Sequence, residues 1–169
     1  MALRKKPVTI EQARLKMASL CSRAEQCEFD ILKKLINLGL SEADRKDIIS
    51  SLKSGKYLDN ERYARSFAID KARFSHWGPL KIKAALYAKR IKSDIINEAL
   101  GEVDKRIWVE AIMKSAETKA RTLSLTGNEG REDRQKLFAF LIRRGFSSDY
   151  ANKAVRIMKR RQEDNEEVD

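Results

Sequence analysis

From end to end, the apolar residues of this chain recur at three- and four-residue spacing, broken by short turn signals. Ile31, Leu32, Leu35 and Leu38 stand at i, i+1, i+4 and i+7, which puts them on one side of a helix. Strand-type alternation of Val, Ile, Thr and aromatics does not occur. Two prolines and seven glycines in 169 residues favour helices over many tight turns. The chain therefore reads as all-α.

The start and stop signals divide it further. Thr9-Ile10-Glu11-Gln12 caps a first helix with Ala13, Met17 and Leu20 inward. Ser22-Arg23-Ala24-Glu25 has the form of a capping box for the second, which Gly39 ends. Ser41 opens a third helix carrying Ile48, Ile49 and Leu52, and Gly55 closes it. A second round begins at Asp59, with Tyr63, Phe67, Ile69 and Phe74, and continues from Gly78-Pro79 through Ile82, Ala85 and Leu86. Ile95, Ile96 and Leu100 mark a short helix after it. The third round runs from Asp104 through Trp108, Ile112 and Ala116, crosses a polar loop (Ser124 to Gly130), and ends in helices carrying Leu137, Phe138 and Leu141, then Tyr150, Ala154, Val155 and Met158.

The exits of the second helices align. Leu35…Gly39-Leu40 matches Leu86…Arg90-Ile91, 51 residues on, and Leu141…Gly145-Phe146, 55 further. A repeated helix, turn, apolar anchor and short helix predicts three tandem three-helix-bundle repeats in an elongated, curved body. The expected modules are 1–57, 58–103 and 104–162, with 163–169 an acidic, disordered tail. Arg90 departs from its glycine counterparts, since a side chain is strained in the left-handed conformation that such an exit requires.

Lys plus Arg outnumber Asp plus Glu by 36 to 25, a net charge of +11, and the excess is spread along the chain. That balance points to a polyanion or an acidic protein surface. No enzyme is expected. His76 is the single histidine, and no nucleophile elbow accompanies it; beside Trp77 and before Gly78-Pro79 it reads as a turn residue. No spacing suits a metal or cofactor, and Gly127-Asn128-Glu129-Gly130 lacks the ending of a phosphate loop. Cys21 and Cys27, six apart, make no disulfide framework and fit a reducing cytosol. No signal peptide is expected after Arg4, Lys5 and Lys6, and the longest apolar run, Leu137 to Ile142, is far shorter than the roughly 20 residues of a membrane helix. A cytoplasmic monomer without membrane contact is the expectation.

What remains is basic helical surface. Lys81, Lys83, Lys89, Arg90 and Lys92 surround the apolar stripe of the fifth helix, and Arg143 and Arg144 stand at the matching end of the eighth. Stacked modules would align such positions into a stripe suited to phosphates or an acidic groove, although bases at helix C-termini also complement the helix dipole. The Trp and Tyr residues are expected in the core. Two other functions fit the same features. A direct DNA-binding regulator would use the helix ending at Gly145 as part of a helix-turn-helix, and a helical scaffold would hold an acidic protein.

Three stretches carry a family resemblance. They are Leu20-Cys-Ser-Arg-Ala-Glu-Gln-Cys-Glu-Phe-Asp-Ile31 with Leu35 and Gly39-Leu40, then Tyr57-Leu-Asp-Asn-Glu-Arg-Tyr-Ala64 with Gly78-Pro-Leu-Lys-Ile-Lys-Ala-Ala-Leu86, and Phe140-Leu-Ile-Arg-Arg-Gly-Phe-Ser147. Over roughly residues 13 to 158 the chain resembles the RecX family, departing from its pattern at Arg90-Ile91 and at Ala24-Glu25-Gln26. The resemblance implies three three-helix repeats. It also implies a cytoplasmic regulator that binds the RecA filament on single-stranded DNA and restrains its growth, ATP hydrolysis, strand exchange and coprotease activity. Such a protein modulates recombination, DNA repair and the SOS response, with at most weak nonspecific DNA contact. It carries no catalytic residues and no cofactor.

Overall fold

The computed structural model describes residues 8–128 and 130–167. Among them every regular element is a helix: α1 (Ile10–Arg23), α2 (Glu28–Asn37), α3 (Glu42–Ser54), α4 (Asn60–Arg73), α5 (Pro79–Ala88), α6 (Ser93–Gly101), α7 (Lys105–Ala120), α8 (Arg131–Arg143) and α9 (Ser148–Glu166). The caps are largely local. At Thr9 and Gln12 the capping box forms in both directions at 3.2 Å, while Ser41 accepts from Asp44 N–H, Asp59 from Glu61 and Arg62, and Asp104 from Arg106.

The helices form three cores, one for each group of three. Met17, Ile31, Leu35, Ile48 and Leu52 fill the first, Ile82, Leu86 and Ile96 lie in the second, and Leu125, Leu137 and Leu141 in the third. Each such side chain contributes about 1.5–3 kcal/mol on burial. Neighbouring cores share residues across their boundaries. Leu58 belongs to the first core, Cys27 sits in the middle one, and Phe29, Ile107 and Trp108 pack against the middle one from either side. Among the described residues, no hydrogen bond or ion pair joins the first group directly to the third.

The three second-helix exits take one conformation. Gly39, Arg90 and Gly145 all have positive φ, at 77°, 58° and 92°. Ile91 N–H returns to the Leu86 carbonyl and Phe146 N–H to that of Leu141, both at 3.2 Å, so the apolar anchor is tied to the core leucine one turn back. Arg90 thus adopts the strained turn that its neighbours reach with glycine. His76 is a turn residue too, with φ 51°.

Other expectations are corrected. The Ser22–Glu25 stretch does not cap α2. Here α1 runs on to Arg23, and Ser22 Oγ donates to the Ala18 carbonyl of the preceding turn. Phe74 is 78% exposed and Tyr150 61%, and Tyr57 and Tyr87 also face solvent, so among the tyrosines only Tyr63 is buried. The expected disordered acidic tail is helical as far as Glu166. Lys159 pairs with Glu163 at 3.2 Å, Gln162 bonds the backbone of Ala120, Leu123 and Leu125, and Thr126 Oγ1 donates to Glu166. Residues 168–169 lie outside the described residues.

Candidate docking face

The second helix of each group lies at the centre of the site. Gly78 opens α5, and its N–H donates to the Arg144 carbonyl at 2.7 Å, while Leu80 N–H donates to the Gly145 carbonyl at 3.0 Å. The end of α8 therefore supplies acceptors to the orphan donors that begin α5. Only glycines allow this approach. A Cβ on Gly78 would fall well inside 3.0 Å of the Gly145 carbonyl, and a Cβ on Gly145 equally close to the Lys81 backbone. The Arg144 guanidinium donates to the Ser75 carbonyl and lies 5.8 Å from the Phe140 ring centroid. Ser115 Oγ donates to the His76 carbonyl at 3.2 Å, adding α7 to the same joint.

The far end of α5 meets the start of α2, but through side chains. Lys89 pairs with Asp30 and sits 5.9 Å from the Tyr63 ring centroid; Arg90 lies over Phe29 at 4.8 Å. Asn60 Oδ1 accepts the Glu28 N–H at 2.9 Å and so caps α2 from the next module, while Arg62 pairs with Glu25 at 2.5 Å. The three second helices thus run end to end, α8 into α5 into α2, with opposite helix-dipole ends facing.

Electrostatics at this second joint follow from partial burial. Burial works against the Asp30 carboxylate, but hydrogen bonds from Lys89 and Cys27 and the Lys89 charge outweigh it and hold its pKa below the usual range. Burial likewise opposes the Lys89 ammonium, and the bond to Asp30 more than compensates, raising its pKa. Burial pushes the Cys27 thiol and the Tyr63 phenol up. Both cysteines are buried and free.

The seven basic residues singled out in the sequence divide accordingly. Lys89, Arg90 and Arg144 are engaged within the chain at the two joints. Lys81 lies over Trp77 at 4.3 Å, with Lys71 at 5.1 Å from the same ring, a pairing that sequence reading missed because Lys71 belongs to α4. Lys83 donates to Asn97 at 3.3 Å. Lys92 is exposed beside a cleft of about 590 Å³ that Phe29 and Leu58 also line, and Arg143 is exposed. Among the described residues none of Lys81, Lys83, Lys92 and Arg143 forms an ion pair, no group of His, Cys, Asp and Glu could hold a metal, and no helix is long and apolar enough to cross a membrane.

The contacts at Gly78-Pro79 and Arg144-Gly145 join the second and third three-helix groups, and both stretches lie within regions that match known families. The family model described as RecX, second three-helix domain, matches residues 59–100, and that described as RecX, third three-helix domain, matches 109–155, together more than half of the chain. The chain belongs to the RecX family. It is 33% identical over 129 residues to the regulatory protein RecX of Clostridium perfringens, a match covering 76% of this chain but 60% of that longer protein. Against the regulatory protein RecX of Vibrio campbellii it is 29% identical over 136 residues, 80% of this chain and 84% of the relative. The crystal structure of RecX from Lactobacillus salivarius superposes with a TM-score of 0.74 at 24% identity, covering 88% of this chain and 96% of the other, so the likeness is one of fold. A second RecX crystal structure gives 0.71 at 25% identity, covering 87% and 73%. These relatives are named regulatory proteins rather than enzymes.

Proposed function

We propose that this RecX-family chain is a cytoplasmic, non-enzymatic, monomeric regulator that binds the RecA filament on single-stranded DNA. There it restrains filament growth, ATP hydrolysis, strand exchange and coprotease activity. The observation that carries the reading is the family membership, combined with a row of three second helices laid end to end. An extended row carrying Lys81, Lys83, Lys92 and Arg143, none of them in an ion pair among the described residues, suits a partner that is itself a long repeating assembly. Lys81, Lys83, Lys92 and Arg143 are the contact residues of this reading. Lys89, Arg90 and Arg144 serve instead at the joints between modules.

The test is the DNA-dependent ATPase of RecA from the same organism, with the chain added at well below one per RecA subunit. Inhibition is expected, and an untouched ATPase would sink the proposal. Lys81→Glu, Lys83→Glu and Lys92→Glu combined should weaken inhibition while leaving helicity intact; unchanged inhibition would place the docking surface elsewhere. The competing reading, a direct DNA-binding regulator, rests on the α8–Gly145–α9 turn. Titration of duplexes and single strands at several salt concentrations separates the two, since sequence-selective duplex binding would favour it and weak, steeply salt-dependent binding the filament modulator.

A further inference from the structure

In the first and third modules the second and third helices enclose a groove, and the two grooves have diverged in charge. In the first module the groove between α2 and α3 has about 630 Å³ and an apolar floor that includes Leu32 and Ile49. Two of its three rim bases are paired, Lys46 with Glu42 at 2.7 Å and Lys53 with Glu28 at 2.9 Å, and Arg45 is the third. In the middle module Lys83 on α5 instead donates to Asn97 on α6. The third module differs. The groove between α8 and α9, about 520 Å³, keeps the floor as Phe138 and Val155, but Arg131, Arg134 and Arg156 line it together with Gln135 and Asn152, and among the described residues no carboxylate does. Position by position, each 106 residues on, Arg134 stands where the first module has Glu28 and Arg156 where it has Ser50.

We propose that the α8–α9 groove docks an acidic segment of a partner protein, seating one apolar side chain against Phe138 and Val155 and its carboxylates against Arg131, Arg134 and Arg156. Charge complementarity supports this occupant. Three arginines line the groove and, among the described residues, none of them forms an ion pair; a guanidinium can take a carboxylate through parallel N–H bonds. Arg134 is pre-set for the task, because its Nη1 donates to the Leu125 and Gly127 carbonyls at 2.7 and 3.0 Å, which fixes the side chain without neutralising it. Arg131 and Arg156 are exposed and, among the described residues, form no ion pair. The apolar floor decides between anions. A phosphodiester backbone would leave the exposed part of Phe138 uncovered, whereas a peptide supplies an aliphatic side chain and carboxylates together.

This deepens the filament reading by naming the chemistry of the segment a protein partner would present, and its test contains no RecA, so the two can fail separately. The probes are a short fluorescent Asp/Glu peptide with one leucine, the same peptide with alanine in its place, and labelled oligothymidylate, each read by anisotropy. The protein is the full chain and its Arg131→Glu/Arg156→Glu variant, both positions being exposed, with helicity checked by circular dichroism. The leucine peptide should bind the chain and lose about tenfold or more with the variant, since two charge-assisted contacts are reversed. Alanine for leucine should cost roughly fivefold or more. Oligothymidylate binding should change far less. No peptide binding by the unaltered chain would overturn the proposal. So would loss of oligothymidylate alone, which would make the groove a phosphate site, or parallel loss of both probes without dependence on leucine, which would make it an unselective cationic patch.

Discussion

The two ends of α5 make two joints of opposite construction. At its N-terminus the contact with α8 is backbone on backbone: two main-chain hydrogen bonds, and two glycines whose missing Cβ atoms are the condition for the approach. At its C-terminus the contact with α2 is made by side chains, with Cys27 in the position that Gly78 holds one module later and Arg90 in the position of Gly145. The backbone contacts of the first joint tolerate no side chain at either glycine, and Arg144 and Ser115 add side-chain bonds to them. A joint made of Lys89–Asp30, Arg62–Glu25, Asn60 and the Arg90–Phe29 contact can change piece by piece, since each part contributes separately. The joint between the first two modules can therefore be altered one side chain at a time, whereas that between the last two depends on its glycines.

The most severe challenge to this contrast is Gly145→Ala. It adds overlap with the Lys81 backbone to left-handed strain, and about 3 kcal/mol or more of destabilisation is expected. The melting temperature should fall by roughly 6–12 °C. Gly39→Ala is its control, because Gly39 has a similar φ but nothing within 4 Å of an added Cβ; about 1 kcal/mol is expected there. Equal effects at the two sites would show that close approach plays no part.

Asp30→Asn should cost about 1–2 kcal/mol at neutral pH by denaturant titration. Its pH dependence carries the sign. The folded-state pKa of Asp30 is depressed, so its contribution is present above the unfolded carboxylate pKa and lost as pH falls through the folded one. Acid melting should lose that increment in the unaltered chain and not in Asp30→Asn. The Lys89 pKa is raised, so the Lys89 side of the pair is fully present below the ordinary lysine pKa and disappears only as pH rises above it.

Removing the cross-module cap by Asn60→Ala should cost about 1 kcal/mol, with hydrogen exchange accelerating at the first amides of α2. The smallest effect belongs to Arg90→Gly. Relief of about 1 kcal/mol of left-handed strain should nearly cancel the lost stacking on Phe29, worth about 0.5–1 kcal/mol. A denaturation midpoint well below that of the unaltered chain would mean that the arginine, not its turn, secures the joint.

Much of this was legible because helical order is local. Thr9, Ser41, Asp59 and Asp104 announce their own helices within three residues, and the spacing of Leu35, Leu86 and Leu141 from their anchors exposes the repeat. Sequence and structure differ where a local signal has a stronger competitor. Ser22 and Glu25 have the form of a capping box, but Ser22 bonds back into α1 and Glu25 is drawn to Arg62. Phe74 and Tyr150 fit helical stripes whose phase, set by Ala72 and by Ala151, turns them to solvent. The acidic composition of the chain's end does not reveal that Gln162 and Glu166 find partners in the loop before α8.

The candidate docking residues show the same limit. Their types and spacing were visible, but not that Lys89 faces a carboxylate 59 positions earlier or that Arg144 reaches a carbonyl 69 positions earlier. The amino-acid order alone determined the helices, their left-handed exits and the threefold repeat, since these depend on hydrogen bonds and sterics within a few residues. Only the tertiary structure decided which lysines and arginines hold modules together and which remain open to a partner, because that depends on charges brought together from distant parts of the chain.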